Sequence, residues 1–315
     1  MDFARSEPRR RAFITILMVS DPTVYVHVLT NVRVFVYSLV RKHEVGVPVV
    51  VLVTPEVPQE DQRSLVDLGA TVLVTPTKLR RAGHVSSGDQ RRQDQLTKIV
   101  LWNLTEFDEL AYYDSDLYFH KSPARIFEDC KAERKRRANP NETTTLRGVP
   151  PSIGAGTAGP VHLGMCAVRD YSWWNAALHG GPPELRRRPF FNTGCFVMWP
   201  SRREAERLWR GAATATSHGF YSEPASAHAA QAISASFPDQ QYLNVYFRDR
   251  VGDLPDEYNL ASFRMRHSTT ISSTAIAVRG PQASQACNKR GRLPLSRHHH
   301  CCAQSHGLTA WVPGT

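Results

Sequence analysis

The 315-residue chain has six cysteines, Cys130, Cys166, Cys195, Cys287, Cys301 and Cys302, and no Cys-x-x-Cys pair among them. Without that spacing or a regular framework, neither a zinc ribbon nor a disulfide-stapled scaffold is expected. The cysteines read as free thiols of a reducing compartment. The apolar stretch after Arg11 lacks a small-residue cleavage site, so it does not read as a secretory leader. Asp21, Pro22, His27, Asn31 and Arg33 interrupt it well before ~20 apolar residues accumulate, which argues against a membrane span. The expected location is therefore cytoplasmic, with the Golgi as the alternative if an N-terminal anchor precedes this sequence. Asn103 and Asn141 each open an Asn-x-Thr sequon, which carries meaning only in a lumenal chain. No tyrosine follows Tyr258, and from Ala261 to Thr315 neither helical nor strand periodicity is sustained. That stretch reads as an atypical, disordered tail.

Hydrophobic residues make up 41% of the chain, enough to build one large α/β domain or two ordinary ones. The net charge of +10 favours an anionic ligand or surface. Much of it lies in three runs, Arg5–Arg11, Lys131–Arg137 and Arg186–Arg188. Short runs of this kind read as solvated, so no nucleic-acid partner is expected.

Taken in order, Ala12–Val19 is a continuous apolar run of the kind that forms a strand buried on both faces. Tyr25–His43 has helical spacing and a basic end. Val47–Val53 and Thr71–Val74 read as strands and Gln59–Leu68 as the helix between them, with Gly69 just past its end. Alternation of strand and helix predicts an α/β fold with a mostly parallel sheet in right-handed crossovers. After a charged loop, Gln95–Asn103 predicts an amphipathic helix that feeds a strand ending at Asp114. Ser122–Asp129 predicts a helical turn or two, and residues 131–160 read as a disordered surface insertion. Strands follow at Val161–Val168 and Phe191–Trp199, and helices at Glu204–Arg210 and Asp239–Phe247, with a flexible loop over residues 211–236. The boundaries expected are a basic extension at residues 1–11, one domain at 12–260 and the tail at 261–315.

Chemistry concentrates at Leu110-Ala-Tyr-Tyr-Asp114-Ser-Asp116-Leu-Tyr-Phe119, where two carboxylates stand two apart at a strand end. Strand alternation would point both the same way, and like charges beside a buried strand require a cation. A hard divalent ion with oxygen ligands, suited to phosphate, is the simplest solution. Open α/β sheets also bind ligands at the carboxyl ends of their strands. Lys98 precedes this pair on its helix, where it is either a phosphate ligand or an ordinary exposed lysine. Asn192 opens a strand and Asp239-Gln240 a helix, positions suited to capping or to reading sugar hydroxyls. Gly154-Ala-Gly156-Thr-Ala-Gly159 matches G-x-G-x-x-G but is preceded by Val149-Pro-Pro and followed by Pro160, so it is loop. His298-His-His-Cys-Cys302 has no second ligand cluster, and Trp173, Trp174 and Trp209 read as packing residues. A phosphatase of the haloacid-dehalogenase type also uses Asp-x-Asp at a strand end, but there the motif sits on the first strand.

The segments AFITIL, DQLTKIVLWNLTEFDELAYYDSDLYF, FFNTGCFVMWPS, DQQYLNVYF and LPDEYNL occur in an order that resembles the glycogenin-like family 8 glycosyltransferases, over residues 12 to about 260. The resemblance implies a single GT-A type nucleotide-diphospho-sugar transferase fold. It implies a retaining hexosyltransferase that takes a glucose-like hexose from a UDP-sugar with Mn²⁺, Mg²⁺ being the alternative. Asp114 and Asp116 would be metal ligands, Ser115 would lie near the ribose, and Lys98 would lie near the phosphates. Thr15 and, more loosely, Tyr25 would face the nucleotide base. Asn192, Thr193, Asp239 and Gln240 would handle the donor sugar, with Asp239, Gln240 and Lys98 carrying catalysis. The family's third metal ligand is a late histidine, for which His267 is the nearest match outside its usual motif. With no tyrosine after Tyr258, the acceptor would be a separate carbohydrate, lipid or protein; a homodimer is left open. The alternative is a non-catalytic homologue that binds a nucleotide sugar or glycogen.

Overall fold

Runs of valine, isoleucine and leucine set up the first half of the sheet. The strands β1 (Arg11–Leu17), β2 (Val49–Val53) and β4 (Glu109–Tyr113) are buried along almost their whole length, as strands covered on both faces must be. β3 (Thr71–Val74), at the sheet edge, is only partly covered. The computed structural model describes residues 9–19, 22–75, 94–139, 163–170, 190–214, 238–247, 250–261 and 277–279, which all belong to one unit, Met1–Gly280.

The main sheet adds β6 (Met165–Arg169), β7 (Phe191–Met198) and β8 (Val251–Leu254), in the order β3-β2-β1-β4-β7-β6-β8. β7 runs antiparallel to both of its neighbours, and the other pairings are parallel. This is the mostly parallel α/β architecture expected. β5 (Leu117–Phe119), β9 (Leu260–Ala261) and β10 (Ala277–Arg279) form a second, three-stranded sheet. Alternation along β1 feeds two cores: Phe13 and Leu17 enter one, Ala12, Ile14 and Ile16 the other. The helix α1 (Pro22–Tyr37) contributes Leu29, Val32, Phe35 and Val36 to the first core and continues as a π-helical segment, Ser38–Lys42. Pro22–Lys42 is long and apolar enough to cross a membrane by length and composition, and 33% of its apolar window is buried inside the molecule. α2 (Gln59–Asp67) adds Leu65.

Four expectations are revised. Residues 131–138 are helical rather than part of a disordered insertion: α3 (Ile126–Ala138) runs straight through the basic run. Its apolar face is short, Ile126, Phe127 and Cys130, and its last turns are held by ion pairs instead. Fully buried Glu133 takes Arg136 at 2.6 Å and Arg137 at 2.9 Å, and accepts the backbone N–H of Asp253. Gln95–Asn103 is a 3-10 helix, Asp94–Asn103, buried from Leu96 to Trp102 rather than amphipathic. The N-terminal basic run is not simply solvated, because Arg9 and Arg11 both pair with buried Glu109, Arg11 at 2.7 Å. Ala277–Arg279, within the stretch expected to be tail, pairs with β5 and β9. Further on, α4 (Arg202–Thr214) outlasts its expected end, and α5 (Pro238–Phe247) starts one residue early. The G-x-G-x-x-G match, the rest of the insertion, Trp173-Trp174 and the His-Cys cluster lie outside the described residues.

The cysteine reading is also corrected. Cys130 of α3 and Cys166 of β6, 36 residues apart in sequence, form a disulfide, and Cys195 remains a buried thiol. The spacing gives no sign of this pairing, since a helix and a strand bring the two sulfurs together only in the folded chain. Closing a loop of this length contributes roughly 3–4 kcal/mol in the chain-entropy picture. A Cys130→Ala, Cys166→Ala double variant should therefore lose about 3 kcal/mol of unfolding free energy in denaturant titration. An unchanged transition midpoint would mean that the staple adds nothing to stability.

Candidate active site

β4 stops at Tyr113, so Asp114-Ser115-Asp116 is a tight turn into β5 rather than a continuation of the strand. Leu117 N–H closes the turn on Asp114 C=O at 3.3 Å. The N–H of Asp114 donates to Gly194 C=O at 2.8 Å, which ties the turn to the beginning of β7. All three turn residues are half-buried, and Asp116 Oδ1 is withdrawn from solvent.

Into this turn the 3-10 helix delivers Lys98. Its ammonium is buried and lies 3.0 Å from Asp114 Oδ1, 2.7 Å from Asp239 Oδ2 and 3.2 Å from the carbonyl of Thr193. Burial favours its neutral form, but Asp114 and then Asp239 outweigh that penalty, and the pKa is raised. The same nitrogen sits 5.1 Å above the Tyr112 ring, and the Tyr112 hydroxyl donates to Asp114 Oδ1 at 2.7 Å. Burial, followed by the charge of Asp114, holds that phenol well above its ordinary range, so it stays a donor. Asp114 is thus oriented from two sides through one oxygen.

A second group continues the cluster along the same end of the sheet. Asp239 and Gln240, in the first turn of α5, are buried. Asp239 Oδ2 accepts Thr193 Oγ1–H at 2.8 Å, and Gln240 Oε1 accepts the Thr193 N–H at 3.2 Å. Asp170, just past the end of β6, accepts from Gln240 Nε2 at 2.9 Å and from Asn192 Nδ2 at 3.2 Å. Asn192 Oδ1 in turn accepts from Gly194 N–H at 2.7 Å and Asn259 Nδ2 at 3.0 Å. Asn244 braces this from behind, exchanging hydrogen bonds with both the N–H and C=O of Phe191.

The structure thus joins Lys98, Asp114, Thr193, Asp239 and Gln240 into one bonded network with Asn192. Lys98 is no ordinary exposed lysine. Ser115 and Asp116 share the turn with Asp114. Thr15 lies buried on β1, its hydroxyl without a hydrogen-bond partner among the described residues. Tyr25, on α1, donates to Asp61 of α2 at 2.8 Å and makes no described bond to the cluster. His267 lies outside the described residues. Tyr112, Asp170, Asn244 and Asn259 went unsingled in sequence. Asp170 had only a weak sign, its place two residues past the expected strand Val161–Val168.

Asp114 and Asp116 supply hard oxygen donors of the kind Mn²⁺ or Mg²⁺ takes. Among the described residues no third His, Cys, Asp or Glu joins them. The set fits a hard cation in chemistry and would provide two ligands to one.

No family model matches the chain. It is 23% identical over 250 residues to galactinol synthase 5 of Arabidopsis thaliana, covering 76% of this chain and 63% of that protein. It is 23% identical over 286 residues to galactinol synthase 4 of the same plant, covering 87% of this chain and 72% of the relative. The chain therefore spans under two thirds of the length of the first of these. Among solved structures it overlays on the glycosyltransferase GlyE of Streptococcus pneumoniae TIGR4 with a TM-score of 0.49 and 14% identity, over 90% of this chain and 58% of that one. That overlay is too loose to carry any residue correspondence.

Lys98→Met should cost about 3–5 kcal/mol of stability, because it strands the buried Asp239 carboxylate; chemical denaturation measures it, and a loss under 1 kcal/mol would mean Asp239 finds another partner. Tyr112→Phe keeps the ring but removes the donor to Asp114. A hydrogen bond to a charged group contributes about 1.5–3 kcal/mol, so the variant should unfold at lower denaturant without loss of secondary structure by circular dichroism.

Proposed function

We propose that this chain is a glycogenin-like family 8 glycosyltransferase that transfers a hexose from a UDP-sugar to a separate acceptor, with Mn²⁺ and with retention of anomeric configuration. The observation that carries the reading is the buried Lys98 ammonium shared by Asp114 and Asp239, which joins the carboxylate turn to the polar network of Asn192, Asp170 and Gln240. A nucleotide-sugar enzyme needs those two neighbourhoods side by side: one for the diphosphate, one for the sugar.

On this reading Asp114 and Asp116 hold the divalent cation, which when bound supplies positive charge to the diphosphate. Lys98 adds a fixed positive charge where negative charge develops on the leaving nucleotide. Its pre-formed ion pairs mean that little reorganises during the reaction. Asn192, Asp170, Asp239 and Gln240 orient the sugar through its hydroxyls, using donors and acceptors already held by one another. Ser115 would approach the ribose, and Thr15 and Tyr25 the base. Glycogenin-like self-modification is not proposed, since no tyrosine follows Tyr258. A glucose-like donor and a carbohydrate acceptor are the favoured pair, and the name galactinol synthase borne by the similar proteins supports transfer over binding alone.

A second reading, a non-catalytic nucleotide-sugar or glycogen-binding homologue, is favoured by one observation: no third metal-ligating side chain joins Asp114 and Asp116 among the described residues. Hydrolysis of UDP-sugars with and without Mn²⁺ separates the two, since a folded chain with no metal-dependent turnover would leave only the binding role.

The site assignment is checked by calorimetry with UDP-glucose, UDP-galactose and UDP-glucuronate in the presence of Mn²⁺. Asp114→Ala and Asp116→Ala should each weaken the preferred ligand by about 100-fold, as loss of a metal ligand costs at least as much as loss of its supporting partner. Binding that survives both substitutions unchanged would reject these carboxylates as the diphosphate site.

A further inference from the structure

We propose that Asn103 is an N-glycosylation site and that this chain folds in an oxidising, lumenal compartment. Two independent features meet in this inference, and neither depends on the sugar-transfer reading. The first is the sequon Asn103-Leu104-Thr105, whose acceptor residue is exposed at the last position of the 3-10 helix. Thr105 N–H returns to Asn103 C=O at 2.8 Å and Leu104 N–H to Leu101 C=O at 3.2 Å, so the sequon forms a tight surface turn. A branched saccharide on an exposed turn adds bulk without burying a polar group or displacing a core side chain.

The second is the Cys130–Cys166 disulfide, both of whose residues are buried, at 1% and 0% exposure. Its formation removes two protons and two electrons from two thiols, which an oxidised dithiol of the secretory compartment accepts by exchange. Reducing compartments oppose that step, whereas the lumen that oxidises thiols is also where Asn-x-Thr acquires glycans. The disulfide thus supplies the condition under which the sequon carries meaning.

Location in the fold fits as well. The Asn103 turn leads into the amino end of β4, while the Lys98–Asp114 cluster gathers beyond its carboxyl end. A glycan at Asn103 therefore leaves the catalytic end of the sheet open. In the covalent step Asn103 Nδ2 bonds to the anomeric carbon of a lipid-diphosphate-linked oligosaccharide. The anomeric C–O bond breaks, the lipid diphosphate leaves with its electron pair, and the amide nitrogen gives up a proton.

The test is peptide mapping of the chain isolated from the cells that make it, with free thiols alkylated at lysis and N-glycans then removed enzymatically. The expected result is a glycan-bearing Asn103 peptide converted to Asp on deglycosylation, with Cys130 and Cys166 recovered as one linked pair. An unmodified Asn103 peptide overturns the proposal, and so do alkylated Cys130 and Cys166. Asn103→Gln should reduce the deglycosylation mobility shift by one glycan, with any remainder due to Asn141, at an unchanged melting temperature. A shift of unchanged size in that variant places the glycan elsewhere and equally rejects Asn103.

Discussion

One buried ammonium sets the terms for the candidate site. Lys98 draws its acceptors from the turn after β4, the first turn of α5 and the backbone of β7, three segments far apart in sequence. A lysine side chain loses its hydration when buried, and two carboxylates beside one another repel, so neither the cation nor the pair is tolerable alone. Together they are mutually satisfied. The raised pKa of Lys98 expresses this balance, since attraction to Asp114 and Asp239 exceeds the penalty of burial. Any shift of one element against the others would strand a charge, which fixes the carboxylate turn relative to the Thr193–Asp239 pair.

The sheet explains why those neighbourhoods meet here. β1 and β4 run parallel, while β4 and β7 run antiparallel, so the strand direction changes at the β4–β7 boundary. The carboxyl end of β4 therefore lies beside the amino end of β7, and Asp114 N–H reaches Gly194 C=O across it. Crevices form where the chain turns away in different directions from neighbouring strand ends. The 3-10 helix Asp94–Asn103 contributes too: it is buried from Leu96 to Trp102, which holds Lys98 against its acceptors.

Much of this was legible in sequence, and the gaps have identifiable causes. β1, β2 and β4 announced themselves because strands buried on both faces are largely apolar runs, and β7 by the apolar run that follows Asn192-Thr-Gly194. Asp114, Asn192 and Asp239 were readable as polar residues at element ends. α3 was not, because its second half is stabilised by Glu133 with Arg136 and Arg137, a pattern that reads as a solvated charge run unless the burial of Glu133 is known. The Asp114–Asp116 turn was taken for strand because Tyr112 and Tyr113 extend the apolar signal to its edge. Asp170 belongs to no motif, and its role appears only when β6, β7 and α5 are assembled around it.

That unread helix matters to the site from behind. α3 is joined to β6 by the Cys130–Cys166 disulfide and to β8 by Glu133, which accepts the Asp253 N–H. Asp253 is also gripped by Arg137 of α3 and, through two bonds at 2.9 and 2.7 Å, by Arg169 at the end of β6. Arg169 immediately precedes Asp170. The residue that holds Asn192 and Gln240 together thus follows directly on one anchored by a buried ionic network and, three positions earlier in the strand, by a covalent bond. Rigid support of this kind is what a hydroxyl-reading constellation requires, since hydrogen bonds lose their selectivity when their donors drift. A helix whose second half reads as solvated charge in sequence is, in the folded chain, the backing that holds Asp170, and through it Asn192 and Gln240, in register with Lys98.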